Sequence, residues 1–150
     1  MKVNLILADS AQAVAGKLYL LGGGWTITGP QPSPSAIAIL VEIPWHEANR
    51  VFKFKLSLFT GDERPVIVPT PIGDRPVEIG GQFEAGRPPG LKPGTPLTVP
   101  LVVNLAPMPL QPDGLYVWKF EIDDHSEEDW QLSFMTRPAA QTTPPGLTSG

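Results

Sequence analysis

His46 and Glu47 are the adjacent side chains in this sequence whose types best suit acid–base chemistry. An imidazole beside a carboxylate can exchange protons with a substrate, and Asp9 and Ser10 offer a second carboxylate with a hydroxyl. A hydrolase using His46 and Glu47 would need Asp9 to meet them in one pocket. Because the chain has no Gly-x-Ser-x-Gly or His-Glu-x-x-His motif to assemble such a centre, we expect a protein that is not an enzyme.

The acidic segment from Asp123 to Asp129 is the other candidate for chemistry. Clustered carboxylates are the hard oxygen ligands that calcium prefers, but the segment lacks the Asp-x-Asp-x-Asp-Gly spacing of a calcium loop. A solvated hairpin tip explains it better. The chain has no cysteine, which excludes disulfides and thiolate zinc sites. We therefore expect no metal and no other cofactor.

Aromatic residues outside the expected core are candidates for recognition. Trp25 follows three glycines, and Trp45 precedes His46 in a turn. Exposed aromatic side chains are enriched where proteins contact each other, so Trp25, Trp45 and His46 form our candidate contact surface. Together with Tyr19, Tyr116, Trp118 and Trp130, the same tryptophans could instead form a platform for a sugar ring, although core packing explains Trp118 and Trp130 better.

The elements that must hold these residues are strands. Residues 115–123 and 130–136 alternate apolar and polar side chains with the period of two that is typical of a β-strand. The two runs predict an antiparallel pair that contributes seven large apolar residues to one core: Tyr116, Trp118, Phe120, Ile122, Trp130, Leu132 and Phe134.

The rest of the chain has the same character. Its 19 prolines and 15 glycines nearly exclude long helices. Further apolar or alternating runs at residues 3–8, 35–43, 51–59 and 97–105 indicate an all-β domain. We predict a single two-sheet antiparallel β-sandwich, immunoglobulin-like with Greek-key connections, over residues 1–137. Residues 138–150 should form a flexible tail rich in proline and threonine.

Three local predictions refine this picture. Residues 11–15 should form a single helical turn that ends at Gly16, so the fold contains at most one or two short helical turns. Residues 70–76 should form a loop. The strand signal at Val77, Ile79 and Phe83 should be interrupted at Gly80 and Gly81.

Charge and hydropathy limit the partners. The net charge of −4 and the scattered basic residues argue against nucleic acid, which is usually bound by a clustered basic face. No run approaches the ~20 apolar residues of a membrane span. Residues 1–8 are interrupted by Asn4 and are too short for a secretory signal, so we expect a cytoplasmic protein.

Two stretches carry resemblances. An Ala8-Asp9 pair followed by Gly16-Lys17-Leu18 resembles the head of a family of small uncharacterised bacterial proteins, and the similarity extends over about residues 1–137. It implies a β fold in the bacterial cytoplasm and carries no known activity. Residues 110–116 are similar to the tyrosine corner of immunoglobulin-like sandwiches, which implies that the Tyr116 hydroxyl bonds to the backbone just upstream.

These observations favour a non-catalytic β-sandwich module that binds another protein or associates with itself. A module that binds a small ligand or carbohydrate through exposed tryptophans is the alternative. A hydrolase that uses His46 and Glu47 is a third hypothesis.

Overall fold

The structure, a computed structural model, describes residues 1–29 and 33–139 and is built from strands. They are β1 (Lys2–Ala8), β2 (Ser10–Val14), β3 (Lys17–Leu21), β4 (Ile27–Thr28), β5 (Ser35–Ile43), β6 (Arg50–Thr60), β7 (Ile67–Thr70), β8 (Gly73–Pro76), β9 (Glu78–Ala85), β10 (Leu97–Leu105), β11 (Leu115–Ile122) and β12 (Gln131–Thr136). A single 3-10 turn, Trp45–Glu47, is the only helical element in the described ranges. The all-β prediction is confirmed. Most of the expected tail, from residue 140 onward, lies outside the described residues.

Four sheets form within residues 1–29 and 33–139. The order β1–β5–β10 gives a three-stranded antiparallel sheet, and β4–β12–β11–β6–β9 gives a five-stranded sheet. The remaining two are the hairpins β2–β3 and β7–β8. One pairing departs from the antiparallel prediction, because the two-residue strand β4 runs parallel to β12.

The buried core joins the two larger sheets. Strand β5 lies between β1 and β10, and both of its faces are largely buried, as its continuous apolar run predicts. In the five-stranded sheet Trp118 stands opposite Leu132 and Leu58, so these side chains share one face. Of the seven residues expected in the core, only Leu132 is partly exposed.

The helical turn expected over residues 11–15 is wrong, because this segment is strand β2. It pairs with β3, with Ser10 opposite Leu21. Ala15 and Gly16 both have positive φ, 50° and 75°, which is the geometry of a two-residue hairpin turn whose twist matches the strands. The hairpin packs Ala11 against Ala36 and Ala38 of β5. Local helix propensity does not reveal this long-range burial, which favours the strand.

Two predictions in the middle of the chain are also wrong. Part of the expected loop at residues 70–76 is strand β8, which pairs with β7 around a turn in which the Thr70 hydroxyl accepts the Ile72 N–H at 3.3 Å. The expected break at Gly80 and Gly81 is absent, since β9 runs through both glycines beside β6. A Cβ on Gly81 would lie 2.7 Å from the Phe54 ring, so this glycine makes room for an aromatic side chain.

Among the described residues, no helix has the length and apolar character needed to cross a membrane.

Candidate functional site

His46 and Glu47 lie in the 3-10 turn that follows β5, and the structure separates them from Asp9. Ala8 pairs with Ala36 near the start of β5, whereas the turn follows Ile43 at its end. Asp9 is therefore at the opposite end of a nine-residue strand. Its side chain packs beneath Gly22, where a Cβ would lie within 3 Å of the carboxylate. The three residues proposed for a hydrolase do not meet in one pocket.

Glu47 instead lines an open cavity of about 270 Å³ with residues of the acidic segment. The His125 Nε2 atom lies 2.8 Å from Glu127 Oε1, and the His125 ring meets Trp130 edge-on at 5.6 Å. Arg50 borders the same cavity and donates to Asp123 at 2.8 Å. The sequence pointed to Glu47 and to the acidic segment separately, but nothing in it indicated that they meet.

Asp123 holds the acidic segment to strand β6. Its carboxylate accepts the Lys53 backbone N–H at 3.0 Å and the Arg50 guanidinium at 2.8 Å. These two hydrogen bonds, that of Lys53 first, lower the pKa of Asp123 below its ordinary value. Also on β6, the hydrogen bond from Lys55 to Glu121 of the neighbouring strand β11 raises the pKa of Lys55. Within the described ranges, no three His, Asp or Glu side chains are grouped so as to hold a metal ion.

Trp25 is partly buried against the core near the Ser35 end of β5. Its ring meets Phe134 edge-on at 6.1 Å and lines an apolar cavity of about 40 Å³ with Leu7, Leu105 and Met108. Its indole N–H is buried and has no acceptor in the described part of the chain. This volume accommodates only a few water molecules, which is much less than a sugar ring needs.

Trp45 lies at the other end of β5 and is partly covered by Arg87. The guanidinium carbon of Arg87 is 4.1 Å from the centre of the Trp45 ring, and its Nη2 donates to the Trp45 carbonyl at 2.6 Å. His46 is exposed beside this stack. The candidate contact surface is thus divided, with Trp25 at one end of the molecule and Trp45 with His46 at the other.

An exposed apolar row lies across the outer face of the five-stranded sheet, and sequence reasoning missed it. Met135 of β12 is paired with Ile27 of β4 on one side and with Leu115 of β11 on the other. Paired residues on adjacent strands share a face, so the three side chains form one continuous surface, which we call the outer row. The exposed fraction is 49% for Ile27, 51% for Leu115 and 48% for Met135.

The row could not be found from the sequence because it is defined by strand order. Ile27 and Met135 are more than a hundred positions apart, and no local pattern predicts their parallel pairing. Beside Leu115, Gly61 donates its N–H to the Leu115 carbonyl at 2.8 Å. A Cβ on Gly61 would lie 2.9 Å from the Leu115 side chain, so the glycine allows that side chain to extend over it.

Fold and site together describe an all-β protein with a buried core shared by its two larger sheets, an open cavity beside the acidic segment at one end and an exposed apolar row at the other. The chain belongs to a family of unknown function (DUF6941), whose model matches residues 4–135. No curated protein and no solved structure matches the chain.

Proposed function

We propose that this protein is a non-catalytic module that binds another protein or a second copy of itself through the outer row of Ile27, Leu115 and Met135. The observation that carries the proposal is the continuity of the row, in which three large apolar side chains on neighbouring strands are each about half exposed. Single exposed apolar residues are ordinary, whereas contiguous apolar surface marks contact sites.

The position of the row supports the same function. Its outermost member, Ile27, belongs to the two-residue edge strand β4, so one side of the row has no further strand in the described part of the chain. Adjacent strands are ~4.8 Å apart, which makes the row about 10 Å wide. A surface of this size suits a focused contact whose energy comes from a few side chains.

We further propose that the two larger sheets stack as a two-sheet, immunoglobulin-like sandwich, and that the module works in the bacterial cytoplasm. The larger of the two buried clusters supports the stacking, since it contains Ile37 and Val41 of the smaller sheet together with Trp118 and Phe120 of the larger one. The hydrogen bond of Tyr116 to the backbone at Gln111 supports the immunoglobulin-like comparison.

Replacing Met135 with lysine tests the proposal, because it places a charge in the centre of the outer row without entering the core. The matched control is Val51→Lys, which changes a side chain of similar exposure, 52%, elsewhere on the sheet. We expect wild type to self-associate in sedimentation equilibrium or to retain a defined partner in cross-linking, and Met135→Lys to lose that species while Val51→Lys keeps it.

Two results would overturn the proposal. One is a wild-type protein that stays monomeric at high concentration and cross-links to nothing. The other is a complex that both variants retain to the same extent. Circular dichroism of each variant checks that the fold is intact, so that loss of binding is not confused with unfolding.

A further inference from the structure

Within the described ranges, three cationic side chains lie over aromatic rings. Arg50 is 3.8 Å from the centre of the Phe52 ring, Arg87 is 4.1 Å from that of Trp45, and Lys119 is 4.8 Å from that of Phe59. Such cation–π contacts fix a charged group in place and remove part of its hydration. The charge that remains needs compensation from a nearby anion or from solvent.

Two of the three cations have a carboxylate nearby that compensates their charge. Arg50 donates to Asp123 at 2.8 Å, and Lys119 lies 3.6 Å from Glu63. Arg87 differs, because no carboxylate oxygen lies within 4.0 Å of it in residues 1–29 and 33–139. Arg87 is therefore stacked on Trp45 as Arg50 is stacked on Phe52, but it has no counterpart of Asp123 in the described part of the chain.

The Arg87 guanidinium is held in a defined orientation. The backbone N–H of Arg87 donates to the Asn49 side chain at 3.1 Å, and the backbone N–H of Asn49 donates to the Ala85 carbonyl at 2.6 Å. One Nη2 donor is used by the Trp45 carbonyl. The Nε atom is buried without an acceptor, whereas Nη1 is neither buried nor hydrogen-bonded in the described part of the chain.

We propose that Arg87, fixed against Trp45, is the centre of an oxyanion-binding site. A guanidinium presents parallel N–H donors on its two Nη atoms, which match the two oxygens of a carboxylate or phosphate group, and here Nη1 has no acceptor within the described residues. The stack on Trp45 and the Trp45 carbonyl hold the guanidinium before a ligand arrives, while Asn49 holds the Arg87 backbone, and such preorganisation reduces the entropy lost on binding.

The proposal does not depend on the outer row. Arg87 follows β9 at the Ile43 end of β5, and the outer row lies near the start of β11 at the opposite end. The oxyanion has two sources with the same chemistry, a free anion such as phosphate or an acidic side chain of a partner protein.

Nuclear magnetic resonance of the ¹⁵N-labelled full chain tests the site through the indole N–H signal of Trp45. One titration uses inorganic phosphate and a second uses a short polyglutamate peptide, both with ionic strength held constant by chloride. We expect a saturable shift of the Trp45 signal in at least one titration. Saturation by phosphate alone indicates a free anion, and tighter saturation by the peptide indicates a carboxylate of a partner.

Variants assign the effect to Arg87. Arg87→Gln should abolish the saturable shift, and Arg87→Lys, which keeps the charge but loses the parallel donors, should weaken binding about tenfold. Arg50→Gln is the matched control and should bind like wild type, since Arg50 is already paired with Asp123. The wild-type titrations stand even if a variant does not fold. Absence of a saturable shift with both ligands, or an equal shift in Arg87→Gln, would overturn the site.

Discussion

At the scale of single residues, Tyr116 shows how one hydrogen bond connects a strand to the loop before it. Its ring is buried in the core and stacks on Phe134 with centroids 5.5 Å apart. Its hydroxyl leaves the core and accepts the Gln111 N–H at 2.9 Å. This is the contact that the resemblance to a tyrosine corner implied, and it orients the turn that leads into β11.

Tyr116→Phe should therefore destabilise the fold while preserving the packing of the ring. We expect the free energy of unfolding to fall by about 1 kcal/mol, the usual contribution of such a hydrogen bond, in urea denaturation. Tyr19→Phe is the control, because Tyr19 is 55% exposed. A loss for Tyr19→Phe equal to that for Tyr116→Phe would show that the hydrogen bond to Gln111 contributes nothing specific.

Asp123 makes the stability of the acidic segment dependent on pH. Its pKa in the folded protein lies below the ordinary value of 3.8, because the Lys53 N–H and Arg50 stabilise the charged form. A folded-state pKa below the unfolded-state value stabilises the fold above the unfolded value, and this stabilisation is lost as the pH falls through the folded value.

Asp123→Asn should remove this dependence. Asparagine tolerates the positive φ of 48° at this position. At neutral pH we expect the variant to be less stable by under about 1 kcal/mol, because the ion pair is partly exposed to water. The difference from wild type should shrink as the pH falls below 3.8. Urea denaturation across this range measures it, and a difference that stays constant with pH would contradict the assignment.

At the scale of elements, strand β9 shows that two adjacent glycines can have different roles. Both lie beside β6, where Gly81 is opposite Phe54 and Gly80 is opposite Lys55. The Phe54 ring occupies the space above Gly81 and contacts Phe83 and Phe120. Gly80 faces the other side, where a Cβ would meet only the Phe54 carbonyl at 3.6 Å.

Gly81→Ala should therefore be costly and Gly80→Ala should not. The new methyl group at position 81 would lie 2.7 Å from the Phe54 ring, and overpacking of this kind costs about 1–3 kcal/mol. At position 80 we expect a change within about 0.5 kcal/mol. Thermal and urea denaturation of the two variants measure the contrast. Equal effects would show that the Phe54 ring moves freely away from Gly81.

At the scale of the whole molecule, the two ends of the core differ in chemistry. The end that carries Trp45 combines the Arg87 guanidinium, stacked on that ring, with an open cavity lined by Glu47, His125 and Glu127. The end that carries Trp25 combines a small apolar cavity with the outer row. Because the Arg87 guanidinium and the outer row are at opposite ends of the strands, the contacts proposed for them can be tested independently.

Local patterns were sufficient for the fold class and for most of the core. Alternation with a period of two places Trp118, Phe120 and Phe134 on one face of a strand pair whatever the rest of the chain does, because side-chain direction follows from backbone geometry alone. The abundant prolines and glycines excluded long helices for an equally local reason. The expected resemblance to an uncharacterised family over about residues 1–137 agrees with the family match over residues 4–135.

Tertiary structure alone decided which distant residues become neighbours. The outer row exists because β4 pairs with β12, and Arg87 stacks on Trp45 because the segment after β9 returns to the turn after β5. The hairpin β2–β3 formed instead of a helical turn because it buries Ala11 against β5. Each outcome depends on apolar area removed from water by long-range packing, and no spacing within a short window of sequence contains that information.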